Sequence, residues 1–151
     1  MKKIGVGDTL PVFCLYNQDG KLIDIGLLIG RPLVIYFYPK DDTPGCSRQA
    51  CSFRDEYHQF TDAGVKVFGI SADGIDAHKN FKEKYRLPFD LLSDIENKVR
   101  KLLGVPSDLF GFIPGRVTYV IDRKGIVKHI FNNQINATKH VEESLRMIAE
   151  I

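Results

Sequence analysis

Two of the chain's three cysteines lie in one short segment, DDTPGCSRQAC, which runs from Asp41 to Cys51. A cysteine thiolate is a nucleophile, a metal ligand and the reactive partner in disulfide exchange. Because the cysteine count is odd and no export signal is apparent, we expect a reducing compartment. Cysteines in such a compartment are more often catalytic, redox-active or metal-binding than structural. The segment therefore predicts cysteine chemistry at Cys46, Cys51 or both.

Thr43 and Pro44 predict the start of a helix. Threonine is a preferred N-cap residue, and proline suits the first helical position, where no amide donor is needed. Cys46 would then be the third helical residue, where unpaired backbone N–H groups and the positive end of the helix dipole favour a thiolate. Gly45 lets another group approach the backbone closely. The alternative is an inert cysteine beneath a strand-to-helix turn, but these combined features favour a reactive one.

The five-residue spacing of Cys46 and Cys51 is unsuited to a disulfide within an intact helix. On a regular helix the two Cα atoms would be roughly 8.6 Å apart, beyond the ~7 Å limit for a disulfide. Our hypothesis is that Cys46 is an isolated nucleophile while the helix is folded. After oxidation the first turns would unwind and Cys51 would reach it. The alternative is that Cys51 is merely a buried helix residue, and the spacing alone does not decide between them.

Strands that alternate with helices are predicted to position these cysteines. FCLYNQDGKLIDI predicts a hairpin that turns at Asp19-Gly20, and PLVIYFYP and VKVFGIS are typical of buried strands. The chain then predicts a strand in FDLLS and a strand, turn and strand in RVTYVIDRKGIVKHIFN. Helices are predicted over 44–63, 76–86 and 96–103, and a terminal helix is predicted to be capped by Thr138. The pattern indicates an α/β protein with a mixed central sheet flanked by helices and an N-terminal hairpin.

Composition narrows the possible functions. The 151 residues are predicted to form a single domain over 1–151, and 21 Lys and Arg against 19 Asp and Glu give no reason to expect nucleic-acid binding. No apolar stretch is long and uninterrupted enough to span a bilayer, so we expect no membrane association. His58, His78, His129 and His140 are scattered without a ligand pair. Cys14 is predicted to be a buried or edge-strand residue without a redox role.

The segment YPKDDTPGCSRQAC resembles the active-site signature of the peroxiredoxins, in which proline, threonine and cysteine stand at fixed spacing. The second cysteine five positions on is similar to the peroxiredoxin Q, or bacterioferritin comigratory protein, branch. The later segments VPSDLFGFIPGRVTYVIDRKGIV and FNNQ resemble plant and cyanobacterial members of that branch. The resemblance covers essentially the whole chain.

The resemblance implies a thioredoxin-like fold and reduction of hydrogen peroxide or organic hydroperoxides without a metal, haem or flavin cofactor. It makes Cys46 the peroxidatic cysteine and Cys51 the resolving cysteine. Thr43 would orient the thiolate and peroxide through its hydroxyl, Pro39 would shield the pocket, and Arg116 would be the distant arginine of the motif. The expected partner is thioredoxin or a similar dithiol reductant, and the expected state is a monomer in the cytoplasm, or in a plastid if the chain is a processed form.

Two positions depart from the usual pattern, and other functions compete. Gln49 stands where many relatives have glutamate, which leaves its hydrogen-bonding or charge role open, and Ser47 replaces the commoner threonine. A thioredoxin-like disulfide oxidoreductase normally has two residues between its cysteines rather than four. A zinc module built on Cys46, Cys51 and a histidine would lack the usual close ligand pairs. A cysteine hydrolase would need a general-base histidine that no local motif supplies.

Overall fold

A computed structural model of the protein describes residues 3–108 and 113–151. Within these ranges the chain forms nine β-strands and five α-helices. The strands are β1 Cys14–Asn17, β2 Leu22–Asp24, β3 Leu33–Phe37, β4 Lys66–Ser71, β5 Asp90–Ser93, β6 Ser107–Asp108, β7 Ile113–Pro114, β8 Val117–Ile121 and β9 Val127–Asn132. The helices are α1 Pro44–Asp55, α2 Tyr57–Asp62, α3 Ile75–Tyr85, α4 Lys98–Leu103 and α5 Lys139–Ile148, and two short 3₁₀ turns cover Ile25–Leu28 and Ile95–Asn97.

A central sheet of seven strands has the order β2-β1-β5-β4-β3-β8-β9. β3, β4 and β5 are parallel to one another, while β8 pairs with β3 in the antiparallel sense and the N-terminal hairpin joins at β5. The sheet is therefore mixed, as the sequence predicts. β6 and β7 form a separate antiparallel pair.

Alternation along the buried strand β3 divides the core into two layers. Leu33, Ile35 and Phe37 pack on the face covered by α4 and the N-terminal segment. Val34 and Tyr36 pack on the opposite face, where α1, α2, α3 and α5 lie. Because β3 is buried on both faces, its continuous apolar run is physically required. The loop at its carboxyl end leads directly into α1.

The hairpin is confirmed, but the prediction for Cys14 is wrong in its burial. β1 and β2 pair around a turn in which Gly20 has a φ of 75°. Cys14 is exposed, and β1 lies between β2 and β5 rather than at the edge of the sheet. The thiol points to solvent from the face of a strand that is paired on both sides.

Two helices differ from the predicted bounds. The single helix predicted over 44–63 is interrupted at Glu56, whose φ of −103° and ψ of 8° are not helical, and Gln59 N–H then bonds the Glu56 carbonyl to begin α2. The helix predicted from Glu96 begins at Lys98, because Glu96 and Asn97 have positive φ values of 62° and 56°. The Asp94 carboxylate caps this later start by accepting the N–H groups of residues 99 and 100 at 2.8 and 2.9 Å.

The two predicted threonine caps do not form. Thr43 occupies the N-cap position of α1 with Pro44 first in the helix, but its hydroxyl donates to the Lys40 carbonyl at 3.0 Å instead of capping. Thr138 has helical dihedral angles, and the side-chain oxygen of Asn136 accepts the Lys139 N–H at 3.2 Å. The sequence correctly indicated where these helices start, but the threonine hydroxyls hydrogen-bond to nearby oxygens instead of capping the helix N–H groups. Among the helices described, none is long and apolar enough to cross a bilayer.

Candidate active site

Cys46 lies at the start of α1, directly beyond the carboxyl end of β3. It is the third residue of the helix and is only 1% exposed. Asp42 makes the sharp entry to the helix with a φ of 58°, a left-handed conformation that aspartate tolerates better than most residues. The predicted position of the reactive thiol, in the first turn of a helix, is therefore the position that the structure gives it.

Arg116 contacts Cys46 across 70 residues of sequence. Its Nη2 donates to the Cys46 Sγ at 3.4 Å, its Nη1 donates to Gln49 Oε1 at 2.6 Å, and its Nε donates to the Gln134 carbonyl at 3.2 Å. Arg116 is 4% exposed and Gln49 is fully buried. The three bonds fix the plane of the guanidinium, so that one nitrogen faces the sulfur.

The oxygen atoms that accept hydrogen bonds from Arg116 do not neutralise its positive charge. Gln49 and the Gln134 carbonyl are neutral acceptors, so no described carboxylate is hydrogen-bonded to this guanidinium. A buried cation next to a sulfur stabilises the thiolate, and its N–H groups can also donate to an oxygen on which negative charge develops. The role of Gln49 that the sequence leaves open is thus a hydrogen bond without a charge.

Two glycines provide the space for this contact. A Cβ at Gly45 would lie 3.0 Å from Arg116 Nη2, so a side chain there would press on the guanidinium. A Cβ at Gly115 would lie 2.2 Å from the Pro106 carbonyl, and the Gly115 carbonyl in turn accepts Arg100 Nη2 at 3.0 Å. The residue before Arg116 is therefore held tightly against the segment that precedes β6. The close approach expected at Gly45 is that of Arg116.

Thr43 and Pro39 border the site without a hydrogen bond to the sulfur. Both are half-buried. The Thr43 hydroxyl donates its proton to the Lys40 carbonyl, which leaves the lone pairs of its oxygen able to accept a further hydrogen bond. Pro39 follows the buried Tyr38, which is the first residue after β3. The activating role predicted for Thr43 and the shielding role predicted for Pro39 stay predictions.

Cys51 lies on the same helix as Cys46, and both thiols are free. Cys51 is partly buried, and burial raises the pKa of its thiol, an effect that Arg54 opposes. The thiol of Cys51 is therefore protonated at neutral pH. With α1 regular from Pro44 to Asp55, this is the separated arrangement that the spacing predicts for the folded helix.

A buried network that the sequence did not predict holds the loop before α1. His78 Nδ1 lies 2.6 Å from Asp41 Oδ2, and Tyr38 donates to the other Asp41 oxygen at 2.5 Å. His78 Nε2 lies 3.0 Å from the Leu92 carbonyl, and Asp73 accepts the Asp41 N–H at 2.8 Å. Tyr38 and Asp41 are at least 32 residues away from Asp73 and His78, so the fold is needed to bring these two groups together.

The same network contains one group of possible metal ligands among the described residues, namely Asp41, Asp73 and His78, whose ligand atoms lie within 4.8 Å of one another. Both ring nitrogens of His78 already face protein oxygens, and the carboxylates accept hydrogen bonds from Tyr38 and Ser71. A metal ion would have to displace these bonds. The zinc alternative also fails to match this group, because neither Cys46 nor Cys51 belongs to it.

His140 supports the loop that holds Arg116. Its Nε2 lies 2.7 Å from the Asn133 carbonyl, and its Nδ1 lies 2.7 Å from the Thr118 hydroxyl. Burial lowers the pKa of His140 to about 4, an effect that the Asn133 hydrogen bond opposes and the Arg116 charge reinforces. The imidazole is therefore neutral at pH 7, donates to Asn133 and accepts from Thr118. The Gln134 carbonyl on Arg116 follows directly from this anchored turn.

A thiol buried at a helix start beside an arginine, on a mixed sheet with helices on its faces, defines a redox or nucleophilic cysteine protein of thioredoxin-like architecture. Residues 6–130 match the model of the AhpC/TSA family. The chain belongs to the AhpC/TSA family, and its relatives include proteins named peroxiredoxin Q. The family assignment and fold predicted from the sequence are confirmed.

The sequence relatives match over nearly the whole chain. The chain is 54% identical over 149 residues to the chloroplastic peroxiredoxin Q of Triticum aestivum. The aligned residues cover 99% of this chain and 69% of that protein. It is 52% identical over 149 residues to the chloroplastic peroxiredoxin Q of Oryza sativa subsp. japonica, with the same coverage.

Solved structures are similar over the same extent. A cysteine-to-serine mutant of PrxQ from Xylella fastidiosa superposes with a TM-score of 0.89 at 27% identity, covering 99% of this chain and 98% of that chain. Peroxidoxin BcpB from Mycobacterium tuberculosis superposes with a TM-score of 0.88 at 32% identity, covering 97% of both chains. The chain therefore has the thioredoxin-like fold of these proteins and is a thiol-dependent peroxidase.

Proposed function

We propose that this thiol peroxidase reduces hydrogen peroxide and organic hydroperoxides with Cys46 as the attacking residue and Cys51 as the resolving residue. The observation that carries the proposal is the 3.4 Å contact between Arg116 Nη2 and the buried Cys46 sulfur. A guanidinium in that position stabilises the thiolate before attack and the departing oxygen during it.

In the first step the Cys46 thiolate attacks one peroxide oxygen and the O–O bond breaks. The sulfur is oxidised to sulfenic acid, and the other oxygen leaves with the bonding electrons and takes up a proton to become water or an alcohol. Arg116 Nη2, which faces the sulfur, is the donor nearest to this event. Thr43, with its hydroxyl proton held by the Lys40 carbonyl, would accept a hydrogen bond from the protonated peroxide oxygen.

In the second step Cys51 attacks the sulfenic sulfur, and the S–O bond breaks to release water. Because Cys46 and Cys51 lie on one regular helix, this step requires α1 to unwind locally. An external dithiol, which we propose to be thioredoxin, then reduces the disulfide through a mixed disulfide and restores both thiols.

The roles of the cysteines are tested by three serine variants assayed with hydrogen peroxide and a thioredoxin system. Cys46→Ser should lose all peroxide consumption, and Cys51→Ser should consume one equivalent and then stall. Cys14→Ser is the matched control and should retain wild-type turnover, because its thiol is exposed on β1, away from α1. Steady turnover by Cys51→Ser at the wild-type rate would assign the resolving role elsewhere.

We further propose that the protein works as a monomer, in the cytoplasm or in a plastid. The chloroplastic names of the relatives support the plastid compartment. Light scattering of the reduced and the oxidised protein tests the first part, and a mass above that of one chain would contradict it. Immunolocalisation in the source cells tests the second.

A further inference from the structure

Tyr36 has a buried hydroxyl that is left without a hydrogen bond. It is the fourth of the five residues of β3 and is 1% exposed, and no partner for its oxygen is found in residues 3–108 or 113–151. Tyr38, two residues farther on the same face, is equally buried and donates to Asp41 at 2.5 Å. An unpaired buried hydroxyl is unfavourable, because it loses its hydrogen bond to water without gaining another.

The Tyr36 ring lies directly beneath α1. It stacks on Phe53 of that helix with ring centroids 4.6 Å apart, and it shares an apolar cluster with Cys46 and Ala50. On its other side a Cβ at Gly69 would lie 2.8 Å from the hydroxyl oxygen. Glycine in β4 therefore makes room for the end of the ring, which is enclosed between the sheet and the helix.

Both cysteines are electrostatic neighbours of this hydroxyl. Burial is the first cause that raises the pKa of Tyr36 well above its usual value. Negative charge on Cys46, on Asp41 and, once its thiol ionises at high pH, on Cys51 raises the pKa further, and the positive charge of Arg116 opposes this. The hydroxyl thus stays protonated and remains a hydrogen-bond donor throughout the physiological range. It is a donor without an acceptor, placed under the two turns of helix that carry the redox pair.

We propose that the unpaired Tyr36 hydroxyl favours the local unwinding of α1 that brings Cys51 to Cys46. The inference deepens the proposed function and rests on the Cys46–Cys51 disulfide. While α1 is folded, the carbonyls of its first turns, which carry Cys46 and Cys51, are bonded within the helix, and no described carbonyl accepts a hydrogen bond from Tyr36. When the turns above the ring unwind, those carbonyls lose their partners and the hydroxyl gains an acceptor. The unpaired Tyr36 hydroxyl therefore destabilises the state in which α1 is folded but not the state in which it is unwound.

Tyr36 is a positioning residue for the resolving step rather than a catalytic residue. It forms no hydrogen bond with Cys46, which receives its described hydrogen bond from Arg116. Loss of the hydroxyl should therefore slow disulfide formation and leave the first attack on peroxide unchanged. A slower resolving step also prolongs the lifetime of the sulfenic acid, which a second peroxide can oxidise to sulfinic acid.

The test is Tyr36→Phe, with Tyr38→Phe as the matched control that removes the same atom from the neighbouring ring. Tyr36→Phe should raise the melting temperature of the reduced protein, because the ring is kept and only the unpaired group is removed. It should slow disulfide formation about fivefold to tenfold and increase the sulfinic fraction at a given peroxide concentration. The Cys46–Cys51 couple should become more oxidising, by about 30 mV for a tenfold change in equilibrium.

Tyr38→Phe should instead lower the melting temperature, because it leaves an Asp41 oxygen without its hydrogen-bond donor. Disulfide formation is followed by quenching with a thiol-alkylating reagent, and sulfinic acid is followed by mass spectrometry. A lower melting temperature for Tyr36→Phe would contradict the inference. So would a rate of disulfide formation and a sulfinic fraction equal to those of a wild type that does form the disulfide. If the wild type itself forms no Cys46–Cys51 disulfide, the proposed resolving step fails and this inference fails with it.

Discussion

Arg116 brings both a positive charge and three hydrogen bonds to the candidate site. A lysine carries the same charge but presents a single nitrogen, whereas the arginine bonds the Cys46 sulfur, Gln49 and the Gln134 carbonyl at the same time. Since those bonds lie in one plane, they orient the charge as well as supplying it. The geometry at the sulfur therefore depends on the shape of the guanidinium.

We expect Arg116→Ala to slow the reaction of the thiol with hydrogen peroxide by roughly 100-fold, the usual effect of losing a buried donor to a developing anion. Arg116→Lys should be intermediate, because it retains charge but cannot keep all three bonds. Stopped-flow measurement of the first turnover gives both rates. An Arg116→Ala rate within a few-fold of the wild type would refute the assigned role.

Gln49 should affect the rate of the first turnover less than Arg116 does, and only by orienting Arg116. Gln49→Ala removes the 2.6 Å bond to Nη1 and leaves the bond of Nε to the Gln134 carbonyl. We expect a decrease of roughly threefold to tenfold in the same first-turnover rate, which corresponds to about 1 kcal/mol of lost positioning. The double variant Gln49→Ala, Arg116→Ala should be no slower than Arg116→Ala alone, and additive losses would contradict the coupling.

At the scale of elements, the loop between β3 and α1 is tied to α3 by two consecutive aspartates in different environments. Asp41 is 9% exposed and bonds His78, while Asp42 is exposed and pairs with Lys84 Nζ at 2.8 Å and with Tyr85. Losing a buried, hydrogen-bonded carboxylate destabilises a protein far more than losing an exposed one. The same substitution at Asp41 and at Asp42 therefore compares the stabilising effect of a buried carboxylate with that of an exposed one.

Asp41→Asn should destabilise the protein by about 3 kcal/mol, because an amide cannot accept hydrogen bonds from both Tyr38 and His78. Asp42→Asn keeps the left-handed preference and should have a much smaller effect on the free energy of unfolding, because its ion pair with Lys84 is exposed to solvent. Urea unfolding of the reduced protein measures both free energies of unfolding. Equal losses in the two variants would show that the buried network does not anchor the loop.

His140 makes the docking of α5 sensitive to acid. Its folded-state pKa of about 4 lies below the ordinary value of 6.5, so the neutral form is favoured by folding. The stabilisation is therefore fully present above pH 6.5 and is lost as the pH falls toward 4. Between pH 7 and pH 5 we expect the wild type to lose about 2 kcal/mol that His140→Gln does not lose. Parallel pH dependences of unfolding in both proteins would contradict this.

At the scale of the whole molecule, oxidation should act on one helix and leave the sheet intact. β3 and β8 are buried along their full lengths and paired with each other, whereas α1 must open for Cys51 to reach Cys46. We expect amide exchange in the disulfide form to increase over residues 44–53 and to stay at the reduced level in β3, β4 and β8. Exchange measured by mass spectrometry on both forms decides this, and unchanged protection of α1 would refute the unwinding.

Sequence patterns predicted the elements well where burial alone determines them. The apolar runs of β3 and β4 and the position of Cys46 in the first turn of α1 follow from local composition. The side-chain bonds of Thr43 and Thr138 did not follow, because competing acceptors nearby decide them.

The contacts that build the site could not be predicted from spacing. Arg116 meets Cys46 because β8 pairs with β3, and only the family resemblance singled out that arginine. The Gln134 carbonyl leaves no trace in the side-chain pattern, since any residue carries the same group. The link between Asp41 and His78 likewise depends on where α3 packs.

The interruption at Glu56 limits how far a rearrangement can travel. Because α2 begins its own hydrogen-bonding at Glu56, the loss of α1 need not pass into the next helix, whose Phe60 remains anchored in the core. At the other end, the Asp41 network fixes the approach to Pro44. The twelve residues of α1 are thus held at both ends, so the proposed unwinding during the catalytic cycle would be confined to this helix.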